Sequence, residues 1–122
     1  MQRIQRKRTK GWTMPDNCIY VGRPTKWGNP LKLLAGVIYI DAGYRRKILD
    51  KWVYLRIGDL DDVIHLFRHI ATGTQFADQD LQYWSDKFKQ NDINELRGKD
   101  LACFCSLKSK CHADILIELA NK

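Results

Sequence analysis

The run LACFC at residues 101–105 constrains the fold of this chain more than any other stretch. It carries no charge, is too short for a helix, and is bounded by Asp100 and Ser106, the pattern of a strand buried on both faces. Such a strand belongs in the middle of a sheet, and a sheet buried on both sides needs helices to cover it. The expected architecture is therefore α/β: a single compact Rossmann-like domain over residues 1–122, with a mainly parallel sheet covered by helices. At 122 residues, one such domain buries a core without disulfides or metal.

The other elements follow from local chemistry. Residues 17–22, NCIYVG, are rich in β-branched and aromatic side chains, and Gly22 closes the run, which predicts a strand. LLAGVIYI, residues 33–40, fits either a strand or an apolar turn, because its periodicity favours neither. Asp41 is placed as the N-cap of a helix over about residues 42–57, in which Tyr44, Ile48, Trp52 and Leu55 recur at spacings of four, four and three.

Asp59 caps a second helix with an apolar stripe of Leu60, Val63, Ile64, Phe67 and Ile70, and Asp61 and Asp62 in its first turn suit the helix dipole. ATGT breaks that helix. Leu81, Trp84 and Phe88 mark a third helix over about 79–90, NDINELRGKD forms a short helical turn, and residues 111–121 make the last helix.

This order places two unusual loops at the carboxyl ends of strands, where open parallel sheets collect ligands. GRPTKWGNP offers Arg23, Lys26 and Asn29 as donors and Trp27 as a flat surface for a base or sugar. SLKSKCH offers Lys108, Lys110 and the N–H groups of a helix start, which suit an anion. The first loop has a second reading, in which Gly22, Pro24, Gly28 and Pro30 shape a turn and Trp27 caps the core. Neither loop matches a Walker loop or a dinucleotide fingerprint.

The formal net charge of +7 is concentrated at one end. Arg3, Arg6, Lys7, Arg8 and Lys10 contribute +5 within ten residues that contain no acid, leaving +2 for the rest. Such a segment meets phosphates or stands as a solvated arm. Ile4 within it suggests a short strand over residues 1–8 with Arg6 and Arg8 on one face.

No apolar run approaches the roughly 18 to 20 residues that span a bilayer, and the basic start is not followed by an apolar segment. A cytoplasmic protein without a membrane partner is expected, with its cysteines reduced. Cys18 reads as a small apolar residue at a strand start. Cys103, Cys105 and Cys111 crowd into nine positions and allow three readings.

Cys103 and Cys105 point to one face of a strand, while Cys105, Cys111 and His112 flank a loop that can fold around a metal, with zinc as the candidate. Alternatively, Cys111 is a reactive thiol favoured by the helix start, Lys108 and Lys110, with His112 as acid or base and Asp114 beside it. In the third reading the cysteines are packing, His112 faces the core with Ile115, Leu116 and Leu119, and Asp114 serves the helix dipole. His65 and His69, four apart, form either a ligand pair or part of a half-exposed helix face.

YVGRPTKWGNP together with ELRGKDLACFCSLKSKCHADILIELAN, preceded by RIQRKRT, resembles an uncharacterised family of small phage and bacterial proteins, domain of unknown function 4326. The resemblance implies that the two loops and the basic segment belong to one design, and it implies no activity. Residues 35–80 carry no distinctive part of it.

The leading expectation is a protein that binds or processes a phosphate-bearing nucleotide or nucleoside derivative in a cleft formed by the 22–30 and 105–112 loops. Arg6, Arg8, Arg23, Lys26, Trp27 and Asn29 would bind the ligand, and Cys111, His112 and Asp114 would serve any chemistry. The alternatives are a nucleic-acid-binding module stabilised by zinc and a phage protein that inhibits a host partner. Steep salt dependence of binding separates the first alternative from a free-nucleotide site.

Overall fold

The computed structural model describes residues 1–45 and 51–122. The chain forms two compact units, residues 1–28 with 91–122, and residues 29–90.

The first unit is built on a three-stranded parallel sheet of β1 (Arg3–Gln5), β2 (Cys18–Tyr20) and β6 (Asp100–Cys103), with β6 in the centre. Ile4 pairs with Ala102 on one side and Tyr20 pairs with Ala102 on the other. The central position explains the uncharged run: Leu101, Ala102 and Cys103 are all buried. Asn17, the residue before β2, lies in the left-handed region (φ 58°), a conformation that asparagine tolerates. Its side chain donates to the Gly98 carbonyl and accepts from Lys99 Nζ.

Helix α3 (His112–Ala120) packs on β6 and β1, and a 3-10 turn, Ile93–Leu96, packs against α3. Leu96, Leu101 and Leu116 are fully enclosed and form the centre of this core.

The second unit holds a three-stranded antiparallel sheet, β3 (Leu31–Leu34), β4 (Val37–Asp41) and β5 (Trp52–Ile57), with β4 in the centre. Ala35 and Gly36 both take positive φ, the two-residue hairpin turn that matches strand twist. LLAGVIYI is thus resolved as a hairpin. Ile38 and Ile40 alternate inward along β4 and are fully buried.

Helix α1 (Leu60–Ala71) packs on β3 and on α2 (Gln79–Lys89), with Phe67 meeting Phe88 edge to face at 5.5 Å. The stripe predicted for the second helix is the one that is used, with Val63, Phe67 and Ile70 buried. Asp59 accepts from the Asp62 N–H while the Asp62 carboxylate accepts from the Asp59 N–H, a reciprocal cap.

Two expectations are corrected. The helix expected over 42–57 is not formed in its last third, because residues 52–57 make strand β5 and pair with β4; residues 46–50 lie outside the described residues. The segment WVYLRI is β-branched and aromatic, and a sheet partner along β4 outweighs a stripe of four residues that happens to fit helical spacing. Asp41 ends a strand instead of capping a helix: its Oδ1 accepts from the Gly43 N–H at 2.8 Å. The second correction concerns the sheet. The architecture is mixed α/β, in which the first unit's sheet is parallel and the second unit's is antiparallel.

Candidate functional site

Because β1, β2 and β6 are parallel, the segments that follow them leave the sheet at one edge. The strand-like pairing runs one residue further there: the Arg6 N–H donates to the Cys103 carbonyl and the Val21 N–H to the Ala102 carbonyl. Three sequence features so meet at this edge: the basic segment, the start of GRPTKWGNP, and the cysteine loop.

The outer part of the edge is cationic and aromatic. The Arg6 guanidinium lies 4.4 Å from the centre of the Tyr20 ring and 5.4 Å from that of Phe104, and Arg8 lies 4.4 Å from Phe104. Tyr20 and Phe104 meet edge to face at 5.8 Å. The Tyr20 hydroxyl donates to the Arg23 carbonyl, which draws the ring over Gly22, where a Cβ would collide with that hydroxyl. Among the described residues, no carboxylate is within ion-pair distance of Arg6 or Arg8.

The inner part is a buried cluster of sulfur and imidazole. Cys103 Sγ and Cys111 Sγ are 3.1 Å apart, and Cys111 Sγ is 3.6 Å from His112 Nδ1. These three donor atoms all lie within 4.8 Å of one another, and all three residues are buried. Cys105 is half-buried beside them. Its N–H donates to Cys103 Sγ at 3.3 Å, and its thiol interacts with the sulfurs of both Cys103 and Cys111.

Hydrogen bonds from Cys103 and then Cys105, against the penalty of burial and helped by His112, hold the Cys111 sulfur far toward thiolate. Its partner Cys103 is held as a thiol by its bonds to Cys105 and Cys111 and by burial. His112 Nε2 is 2.8 Å from the Val21 carbonyl, which can only accept, so Nε2 carries a proton, and Nδ1 is the ring nitrogen that faces Cys111 Sγ.

Arg3 braces the cluster from β1. Its guanidinium donates to the carbonyls of Leu107 and Ser109 and pairs through Nε with Asp114 at 3.4 Å. Burial works against its charge but is outweighed by the Cys111 sulfur and then Asp114, so it titrates above the ordinary arginine range. Asp114 also accepts from the Cys111 N–H at 3.3 Å, fixing the start of α3.

The residues singled out from sequence fall into three groups. Arg6, Arg8, Cys105, Cys111, His112 and Asp114 come together at this edge with Arg23 near Tyr20. Lys26 is drawn aside, 2.8 Å from Glu95, and Trp27 is only 4% exposed. Asn29 falls in the second unit, where its Oδ1 accepts from the Leu31 N–H.

Arg3, Tyr20, Cys103 and Phe104 were not among the residues assigned a role from sequence. Cys103 had a signal, since it shares a strand face with Cys105. Arg3 had only the charge of the basic segment, and the arginines that lie on Tyr20 and Phe104 are distant in sequence. His65 and His69 meet edge to face at 4.7 Å, and His69 Nδ1 is 3.1 Å from Thr74 Oγ1.

The fold and the site define a mixed α/β protein with a buried thiol–imidazole cluster below a cationic sheet edge. The chain belongs to the family Domain of unknown function (DUF4326), whose family model matches residues 4–122. No curated protein and no solved structure matches it. Among the described residues no helix is long and apolar enough to cross a membrane.

Proposed function

We propose that this protein binds nucleic acid through the carboxyl edge of its parallel sheet, treating that unit as Rossmann-like in where it collects its ligand. The observation that carries the reading is the pair of arginines, Arg6 and Arg8, laid on Tyr20 and Phe104 with no carboxylate partner among the described residues. A guanidinium resting on a ring keeps its edge N–H groups available for phosphate, and the ring lowers the entropy of holding it in place. Lys7, Arg8 and Lys10 continue outward as exposed cations. Arg6, Lys7 and Arg8 follow β1 as three successive cations before the chain turns at residues 9–12, a row that suits a phosphate backbone.

The test is binding of labelled single-stranded and duplex oligonucleotides to the wild type and to Arg6→Ala/Arg8→Ala. The double variant is expected to bind at least tenfold more weakly at low salt while keeping its circular dichroism. Unchanged binding in a folded double variant would sink the proposal.

A second reading, a site for a free phosphate-bearing nucleotide or nucleoside derivative, is favoured by the convergence of the β2 and β6 loops on the same edge. It requires that a mononucleotide displace the oligonucleotide at comparable concentration and with little dependence on salt.

A further inference from the structure

We propose that Cys103, Cys105, Cys111 and His112 form a structural zinc site, with ligation through three sulfurs and His112 Nδ1. The spacing suits the ion. With Zn–S of about 2.3 Å and Zn–N of about 2.0 Å, the ligand atoms of a tetrahedral site stand roughly 3.5 to 3.8 Å apart. Cys111 Sγ and His112 Nδ1 are 3.6 Å apart, and Cys103 Sγ and Cys111 Sγ, at 3.1 Å, need to part by only some tenths of an ångström.

The imidazole is already set for the task. A metal-bound histidine typically donates its other ring N–H to a carbonyl or carboxylate, and His112 Nε2 faces the Val21 carbonyl at 2.8 Å. Cys105 supplies the fourth ligand by turning its side chain inward, since its backbone N–H is already bonded to Cys103 Sγ at 3.3 Å. An N–H aimed at a neighbouring sulfur stabilises a thiolate and fixes the loop between ligands.

Charge is the independent observation. Three thiolates, a neutral imidazole and Zn²⁺ sum to −1, which is costly in a buried site without a counter-charge. Arg3 is that counter-charge: its side chain is 9% exposed, and its Nη1 is buried with no hydrogen-bond partner. A metal thiolate centre gives that buried donor an anion to face. The site is thereby a tie between β1, the β6 turn and α3, below the edge that bears Arg6 and Arg8, and it stands whether or not those arginines bind nucleic acid.

Untagged protein purified under reducing conditions is expected to carry about one equivalent of zinc by elemental analysis and native mass spectrometry. Cysteine alkylation adds the ligand count: zinc-loaded protein should react at Cys18, and chelator treatment should expose Cys105. Cobalt(II) added to the zinc-free reduced wild type should give thiolate charge-transfer bands and the intense visible bands of a tetrahedral site, a readout that does not depend on any variant folding.

Arg3→Gln should weaken metal affinity by roughly 10- to 100-fold, with Arg3→Lys restoring part of it. Reduced, folded wild type that retains no zinc and yields no cobalt charge-transfer bands overturns the assignment. So does a zinc-loaded protein in which Cys105 alkylates as fast as Cys18, or a purified protein with Cys103 and Cys111 joined as a disulfide.

Discussion

Single side chains carry most of the chemical information, and their partners decide what it means. In the second unit, Asp80 is 6% exposed and is satisfied by the Tyr44 hydroxyl at 2.5 Å and by Arg45 at 3.0 Å. Tyr44 also stacks on Tyr83 at 3.7 Å. Burial, followed by the bond to the Asp80 carboxylate, pushes the Tyr44 hydroxyl up to about 12. A group with a raised pKa binds its proton more tightly when folded, so its contribution is complete below the ordinary tyrosine value near 10 and is lost as pH rises from about 10 to 12. Ultraviolet titration should therefore show one of the five tyrosines ionising late, with that late component absent from Tyr44→Phe. Tyr44→Phe should also lose less stability than the wild type across that interval. A late component that persists in the variant would assign it elsewhere.

Secondary-structure elements were legible where the signal for them was local. Helices α1 and α2 begin within a residue of the positions expected, because Asp59 and Asp78 are side-chain caps whose partners lie two or three residues away. Asp59→Ala should cost about 1 kcal/mol in urea unfolding, since it removes an acceptor from the first turn of α1. An unchanged midpoint would mean that the buried face of Val63, Phe67 and Ile70 holds the helix without the cap.

Strand β5 has strand composition in WVYLRI, but a competing signal masks it. Tyr44, Trp52 and Leu55 fit a helical spacing, and nothing within the segment reveals that β4 runs alongside it. The short strand in the basic segment was visible through Ile4, which pairs with Ala102.

At the scale of the whole molecule, charge becomes an observable. The excess placed in the first ten residues stands on the parallel sheet's carboxyl edge, so association with nucleic acid should weaken linearly in log K against log salt. Removing Arg6 and Arg8 should lower that slope by about one for each phosphate that the variant no longer neutralises. Equal slopes in wild type and variant would place the phosphates elsewhere on the surface. Zinc removal should weaken binding through loss of order at the edge and leave the remaining slope largely intact, which separates a structural metal from one that meets the ligand.

The sequence by itself determined the character of each segment: an uncharged central strand, two capped helices, a basic start, and a cluster of thiols beside a histidine. Those properties arise from residue type and from spacings of a few positions, which any window of the chain reveals. Only the tertiary structure decided which residues share a site. Arg3 donates to Ser109 across 106 positions, and the Val21 carbonyl fixes the tautomer of His112 across 91. The register of β1 and β2 on β6 sets those meetings, and it leaves Arg6 and Arg8 on their rings. Register depends on the burial of whole faces at once, a non-local balance that no short stretch of sequence contains.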